Sequence, residues 1–597
     1  MRHRASPSLC EEPLGDAVPM PLSRPDHLLC MTLFNEPLQD LLRSTSAVAA
    51  NLRADRPAAG LPVPSVGLAL VLDGHRHAHA DVLDWLARQG FPVEDGDTER
   101  WHHRGVSRAA LAAAAGEDPA ASPTVPMWLY VKAQNRGKLD SHAVFFQTLC
   151  RPLQPGIVFQ LDVGTTIGEE AMACALAHFM GRPEVAALSS RCAAVAPGPR
   201  DGFVQAWQFF DTASQLVTVW PTEQLCGQLS VIPGQFCALR WQALDHAPRG
   251  EASPLQHYLR GLSTTSRFER TMFLAEDRVI GQALTLARAA RWTLTYGADV
   301  PATNDACGSL GELMRQRRRW NNGANACRLA LLSHGSEGWR RPDRRLADRL
   351  GFSMGLAWQA VQLLQQWCAP ATWLCSLWML CMAMRAAWAG GHAAVVSATA
   401  AALAVAIVGT LHAQRRCAEA AWWCAAVGSC VTLRLGGLDL SDMALAVAPQ
   451  ALTLALVARQ YPAQAGTTLR RAAEHLSCDG PMRLLLWTYA LLRLGDTSWG
   501  TKGLLERQRS DRARSPAWWA VPAWVASNAA VLGLALSSRG AGTSVLPWPL
   551  QVSCWISLFA VAGGVLFLVQ QHGLQQRSHR TRSSAGRVSS IALPEKL

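Results

Sequence analysis

Beyond residue 358 the chain becomes a succession of long Ala, Leu, Val and Trp runs with few charges, and no other feature constrains its fold as much. Runs of that kind suit helices of roughly 20 residues that cross a bilayer. Up to about residue 350 the sequence is instead mixed and charged, as in a globular domain. At 597 residues the chain is too long for one core, so at least two structural units are expected. Hydrophobic residues make up 49% and charged residues 17%, a balance rarely seen in a water-soluble enzyme of this size. The spacing places candidate spans near residues 368–388, 393–413, 418–435, 440–457, 482–494, 518–537 and 550–570. The shortest, 482–494, reads equally well as a buried or interfacial helix. Six spans are preferred, because an even number keeps the N-terminal domain, the basic loop at 507–514 and the basic tail on one side. Residues 352–366 form an amphipathic approach suited to the interface.

The net charge of +12 comes from basic clusters beside apolar runs, at residues 315–319, 340–349, 415–416, 470–471, 507–514 and 577–582. That placement fits cytosolic loops rather than a face that binds a nucleic-acid duplex, and no nucleic-acid partner is expected. The 17 cysteines show no paired C-x-x-C ligand spacing, which argues against structural zinc and a secreted disulfide framework. Residues 1–25 lack the apolar core of a signal peptide, so the N-terminal domain is expected in the cytosol.

Within that domain, residues 28–33, 66–72, 127–131 and 156–161 read as buried strands. Helical patterns lie between them at 38–52, 81–89, around 107–115 and at 143–149. Residues 132–142 read as a polar, basic loop. Further on, 203–215 reads as a helix, 229–240 as a loop and strand, and 293–300 as another strand, followed by the helix carrying Gln316 to Trp320. Strands alternating with helices indicate a doubly wound α/β domain with ligands at the strand carboxyl ends.

Three places bear chemistry. Asp162 closes an apolar strand and is followed by Val163-Gly164-Thr165, where a carboxylate can hold Mg2+ or Mn2+ against a diphosphate; the same pattern also describes a plain turn. Glu276-Asp277-Arg278 offers a general base beside an arginine, although acids at a helix start also simply compensate the dipole. Gln316-Arg317-Arg318-Arg319-Trp320 joins guanidinium forks to an indole that can stack on a sugar. Arginines beside a first span also arise from topology alone.

Taken in order, the segments resemble the chitin synthases, membrane-bound processive family 2 glycosyltransferases. The matching residues are Met31-Thr32-Leu33-Phe34-Asn35-Glu36, Asp73-Gly74, the stretch from Lys132 to His142, and Asp162-Val163-Gly164-Thr165. They continue with Ser230-Val231-Ile232-Pro233-Gly234-Gln235-Phe236, Arg240-Trp241, Leu274-Ala275-Glu276-Asp277-Arg278 and Gln316 to Trp320. Far downstream lies Ser498-Trp499-Gly500-Thr501-Lys502-Gly503. The first motifs are shared with cellulose and hyaluronan synthases; the last segment and the Lys132–His142 loop are more specific. Phe34 stands where the family usually has tyrosine, Gln235 where it has a small residue, and Asn321 where it tends to have an aliphatic one.

The resemblance implies a Rossmann-like GT-A glycosyltransferase domain followed by an all-α, multi-span membrane domain. It divides the chain into a short extension (1–26), the GT-A domain (27–350), the interfacial segment (351–366) and transmembrane helices (367–495). A cytosolic loop (496–515), two last helices (516–572) and a basic tail (573–597) complete it. It also implies a multi-pass plasma-membrane enzyme with a cytosolic catalytic domain, UDP-N-acetylglucosamine and a growing chitin chain as partners, the lipid bilayer around it, and a possible homodimer. By matched position, Glu36 and Asp73 contact the uridine and Lys138 faces the nucleotide. Asp162 takes Mg2+ or Mn2+, with Gly164 where the family commonly has a second acid. Asp277 is the general base, flanked by Glu276 and Arg278. Gln316, Arg319 and Trp320 hold the acceptor and leaving diphosphate, and Trp499 and Lys502 gate substrate or channel entry. A synthase of another polymer or of short oligosaccharides, or an inactive membrane scaffold, would share much of this pattern.

Overall fold

The computed structural model describes residues 24–53, 64–91, 93, 99–112, 122–198, 201–248, 250–287, 292–335, 345–411, 415–498, 519–537 and 546–588, without the side chains of 411–417 and 573–588. These residues form two compact units. One lies within Met1–Cys192, Val231–Asp305 and Thr497–Arg512, the other within Ala193–Ser230, Ala306–Asp496 and Ala513–Leu597. The described residues within 193–230 and 306–350, expected in the first domain, therefore fall in the second unit.

The first unit is built on a mixed sheet. Its strands are β1 (His27–Leu33), β2 (Val66–Leu72), β3 (Trp101–Ser107), β4 (Thr124–Val131), β5 (Ile157–Asp162), β6 (Thr166–Ile167), β7 (Val185–Ala194), β8 (Phe236–Arg240) and β9 (Thr293–Asn304), in the order β3-β4-β2-β1-β5-β8-β7-β9-β6. All seven β2 residues are buried, and this unbroken apolar run marks a strand covered on both faces. The centre, β4-β2-β1-β5, is parallel. Its register aligns Leu33 with Leu72, Leu72 with Val131 and Thr32 with Asp162. Phe34, Asp73, Lys132 and Asp162 thus leave the sheet at one edge, where open α/β sheets gather their ligands.

The doubly wound expectation holds for this centre and is modified at both flanks. β3 runs antiparallel to β4, β8 to β5, β7 to β8 and β6 to β9. Two strands escape the periodicity. Trp101–Ser107 comes just before the expected helix, of which the described part is Arg108–Ala112. β7 is mostly Ala and Ser, with Val185 its one β-branched residue and no aromatic one, so it carries little of the signal of a strand. The expected loop at 132–142 becomes a helix from Lys138 onward.

In the second unit every expected span falls on a helix: Ala369–Ala389, Ala393–Leu411, Arg415–Leu435, Leu440–Gln460, Ala472–Leu492, Ala520–Ser537 and Trp548–Val588. Among the described residues four stretches are long and apolar enough to cross a bilayer, namely Ala393–Thr410, Leu440–Gln460, Ala520–Ser537 and Trp548–His572. A pair bent by 56°, Leu346–Trp367 with Ala369–Ala389, makes five if it counts as one span. The sixth expected span is missing because Arg415–Leu435 carries Arg415, Arg416, Glu419 and Arg434, while Ala472–Leu492 carries Glu474, Asp479 and Arg483. The Phe203–Val217 helix packs Phe209, Ala213 and Val217 against Leu456, Val457 and Val561.

Candidate active site

The carboxyl edge of the parallel strands brings the first unit's acids together around one lysine. Lys138 opens a helix at the end of the loop that follows β4. Its Nζ lies 2.9 Å from Asp162 Oδ1 and 3.4 Å from Glu276 Oε1. Burial works against its charge, but Asp162, Glu276 and Asp277 outweigh that and hold the ammonium well above the usual lysine range. Glu276 and Asp277 start the Glu276–Leu286 helix, where the helix dipole favours negative charge. Asp277 Oδ2 accepts the Gly234 N–H at 2.9 Å. Three segments that are far apart in sequence thus meet through charge. Arg278 follows Asp277 on the same helix and is half-buried.

Asp73 is 5% exposed, and its carboxylate accepts from Arg136 N at 3.0 Å and Gly137 N at 2.9 Å. Lys132, wholly buried, pairs with Asp73 at 2.6 Å and Asp140 at 2.7 Å. Arg136 forks onto Glu99 at 3.1 and 3.0 Å. Asp73 therefore shapes the loop that aims Lys138. Glu36 lies next to the end of β1 and takes the Phe34 N–H at 2.7 Å. Reading the sequence missed Lys132, Asp140 and Glu99 as the clamp. Their signal was the density of alternating charges in and before the loop.

Asp162 is the sequence's candidate for a divalent cation. Its side chain is 34% exposed and is a hard oxygen ligand. Among the described residues no group of three or more His, Cys, Asp or Glu could hold a metal. Gly164, at φ +92°, has the backbone that favours glycine. Asp40, paired with Arg43, comes within 3.9 Å of where a Cβ at 164 would lie. The donor set here is thus one partly exposed carboxylate, which leaves the other positions of a hard cation to be filled from outside the chain.

The arginine segment lies in the second unit, on the Leu310–Ser333 helix capped by Ser309. Arg317 pairs with Asp211 at 3.1 Å, and Arg483 holds the other oxygen of Asp211 at 2.7 Å. The Arg317 guanidinium lies 4.6 Å from the Trp320 ring centre and 5.8 Å from that of Trp207. Arg318 pairs with Asp496 and donates to its carbonyl at 2.9 Å. Two of the three arginines are thus held by acids of their own unit. Gln316, Arg319 and Trp320 are half-buried. Asp211 was missed; a lone acid amid the Phe209-Phe210 run was its only trace. Trp499 and Lys502 lie outside the described residues.

Comparison with known proteins follows the same line. Two curated relatives are chitin synthase 2 of Cryptococcus neoformans var. grubii, 29% identical over 328 residues, and chitin synthase I of Metarhizium acridum, 29% identical over 253 residues. The alignments cover 50% and 41% of this chain but only 34% and 28% of those proteins. Among solved structures, the mannosyltransferase PcManGT from Pyrobaculum calidifontis in complex with GDP-Man and Mn2+ superposes with a TM-score of 0.32 at 14% identity, over 71% of this chain and 89% of that one. S. aureus TarS superposes at 0.27 and 12% identity, over 57% and 43%. Superpositions this loose leave the sheet topology itself to describe the fold. The profile of the chitin synthase-like glycosyltransferase domain matches residues 27–335, more than half of the chain, and the chain belongs to that family, with the mixed sheet inside the matched region and a C-terminal helical part that holds several apolar candidate spans.

Proposed function

We propose that the chain is a chitin synthase: an inverting, processive transferase that moves N-acetylglucosamine from UDP-N-acetylglucosamine to the 4-hydroxyl of a growing β-1,4-linked chain. It works at the cytosolic face of the plasma membrane and passes the polymer across through its own helices. The observation that carries this reading is the Lys138 bridge between Asp162 and Glu276, beside Asp277, at the carboxyl edge of the parallel strands.

Asp277 takes the proton of the acceptor 4-hydroxyl as that oxygen bonds to the anomeric carbon from the face opposite the leaving group. The bond from the anomeric carbon to the diphosphate breaks, and UDP departs with the electron pair. Arg278 orients the base, and Glu276 helps to hold Lys138. Asp162 holds Mg2+ or Mn2+, whose charge, when bound, offsets that of the departing diphosphate. Glu36 and Asp73 serve the uridine end, Asp73 through the loop it holds. Gln316 and Arg319 bond to sugar or pyrophosphate, Trp320 stacks under the terminal sugar, and Trp499 and Lys502 gate entry.

The test is to incubate membranes carrying the full chain with labelled UDP-N-acetylglucosamine and Mg2+ or Mn2+, then digest the product with chitinase and size it. A chitinase-sensitive polymer is expected. A resistant polymer would point to a different polysaccharide, and absence of UDP release to a scaffold.

A further inference from the structure

The bend before β8, Ile232-Pro233-Gly234-Gln235, is bonded on both sides to residues given chemistry above. The Ile232 N–H donates to the Asp277 carbonyl at 3.4 Å, and the Gly234 N–H donates to Asp277 Oδ2 at 2.9 Å. The Gln235 carbonyl accepts from the Asp162 N–H at 3.1 Å. A short turn stiffened by a proline thus ties the end of β5 to the start of the Glu276–Leu286 helix.

Gly234 is where this turn comes closest to the charged groups. A Cβ there would fall 2.7 Å from Asp277 Oδ1 and 2.7 Å from Lys138 Nζ, with Asp277 Cγ at 3.3 Å. Carbon does not approach side-chain atoms so closely unless something moves. The two nearest atoms are the tips of side chains, so a methyl group is accommodated by displacing the carboxylate and the ammonium while the backbone stays.

We propose that Gly234 is a positioning residue, its N–H and its missing side chain together fixing where the Asp277 carboxylate and the Lys138 ammonium stand beside Asp162. The proposal rests on Asp277 as the general base. It assigns glycine at 234 to the spacing of two charges, since its backbone needs no left-handed conformation.

Gly234→Ala in the full chain, in membranes, is the test. Turnover with UDP-N-acetylglucosamine should fall by about 10²-fold, the loss that a displacement near 1 Å causes, with melting temperature nearly unchanged. Gly234→Ala combined with Asp277→Asn should be no slower than Asp277→Asn alone, because both act through one group. Acylation of Lys138 by an N-hydroxysuccinimide ester, read by peptide mass spectrometry, should rise several-fold while that of Lys132 stays constant. Wild-type kcat in Gly234→Ala, losses that multiply in the double variant, or unchanged Lys138 labelling would each overturn the proposal. If Asp277→Asn itself keeps full turnover, the base assignment fails instead, and the labelling still decides whether Gly234 places the ammonium.

Discussion

Lys138 in the first unit and Arg317 in the second are both largely buried cations held by carboxylates, and they differ in what holds them. Asp162, the acid nearest Lys138, keeps 34% of its side chain exposed. Asp211, which holds Arg317, keeps 2% and is gripped by Arg483 as well. An acid open to solvent can exchange its lysine for an incoming cation or ligand. A closed one is committed to the fold, because separating a buried pair leaves a charge with no compensation. Charge at the sheet edge is therefore available for chemistry, while Arg317 is committed to structure.

The largest expected effect lies on the open side. Asp277→Asn should lower turnover by roughly 10²- to 10⁴-fold, the range for a lost general base, and leave UDP binding in equilibrium measurements largely intact. Next, Asp211→Asn should destabilise the second unit by about 3–5 kcal/mol, as for other broken buried pairs, read as a lower thermal or denaturant midpoint. If turnover fell with no loss of stability, the division between the two cations would be wrong. Arg319→Lys keeps the charge and loses the planar fork. It should insert normally and lose about tenfold in activity, one well-placed interaction's worth; full activity would remove Arg319 from the acceptor site. The smallest effect is an acid response. Burial would raise the Asp211 carboxyl, but Arg483 and Arg317 outweigh it and hold it below the ordinary range. Its contribution is thus fully present above the unfolded value of about 3.9 and is lost as pH falls through the lower folded value. Melting curves from pH 7 to pH 3 should show this extra loss in the wild type and less of it in Asp211→Asn.

Much of this was legible in the sequence wherever the signal is local. β2 is an unbroken apolar run, β1 and β5 are largely apolar, and the helix starting at Glu276 announces itself by its acids. β7, poor in branched residues, gave no such sign because its burial is decided by neighbouring strands. The site divides in the same way. Asp162 and Asp277 stand at element ends, where the sequence marks them as candidates, whereas Gly234 bonds to Asp277 from 43 residues away and Arg483 meets Asp211 across 272. No pattern within one segment encodes such pairings. In the arginine run the alternative of acid partners is the one seen for Arg317 and Arg318, paired with Asp211 and Asp496, since identical residues in a row have different surroundings on a helix.

The first unit is discontinuous, and this bears on how the protein is made and cut. β9, which closes the sheet order beside β6 and β7, ends at Asn304, so a nascent chain cannot finish the sheet before residues 193–230 have left the ribosome. Those residues belong to the other unit, and their Phe209, Ala213 and Val217 face waits for partners at Leu456, Val457 and Val561. A soluble fragment ending after the family-matched region at residue 335 would retain that apolar face with nothing to cover it, a patch that invites aggregation. Replacing residues 195–230, after the end of β7, with a short polar link is the more promising route to the isolated sheet domain.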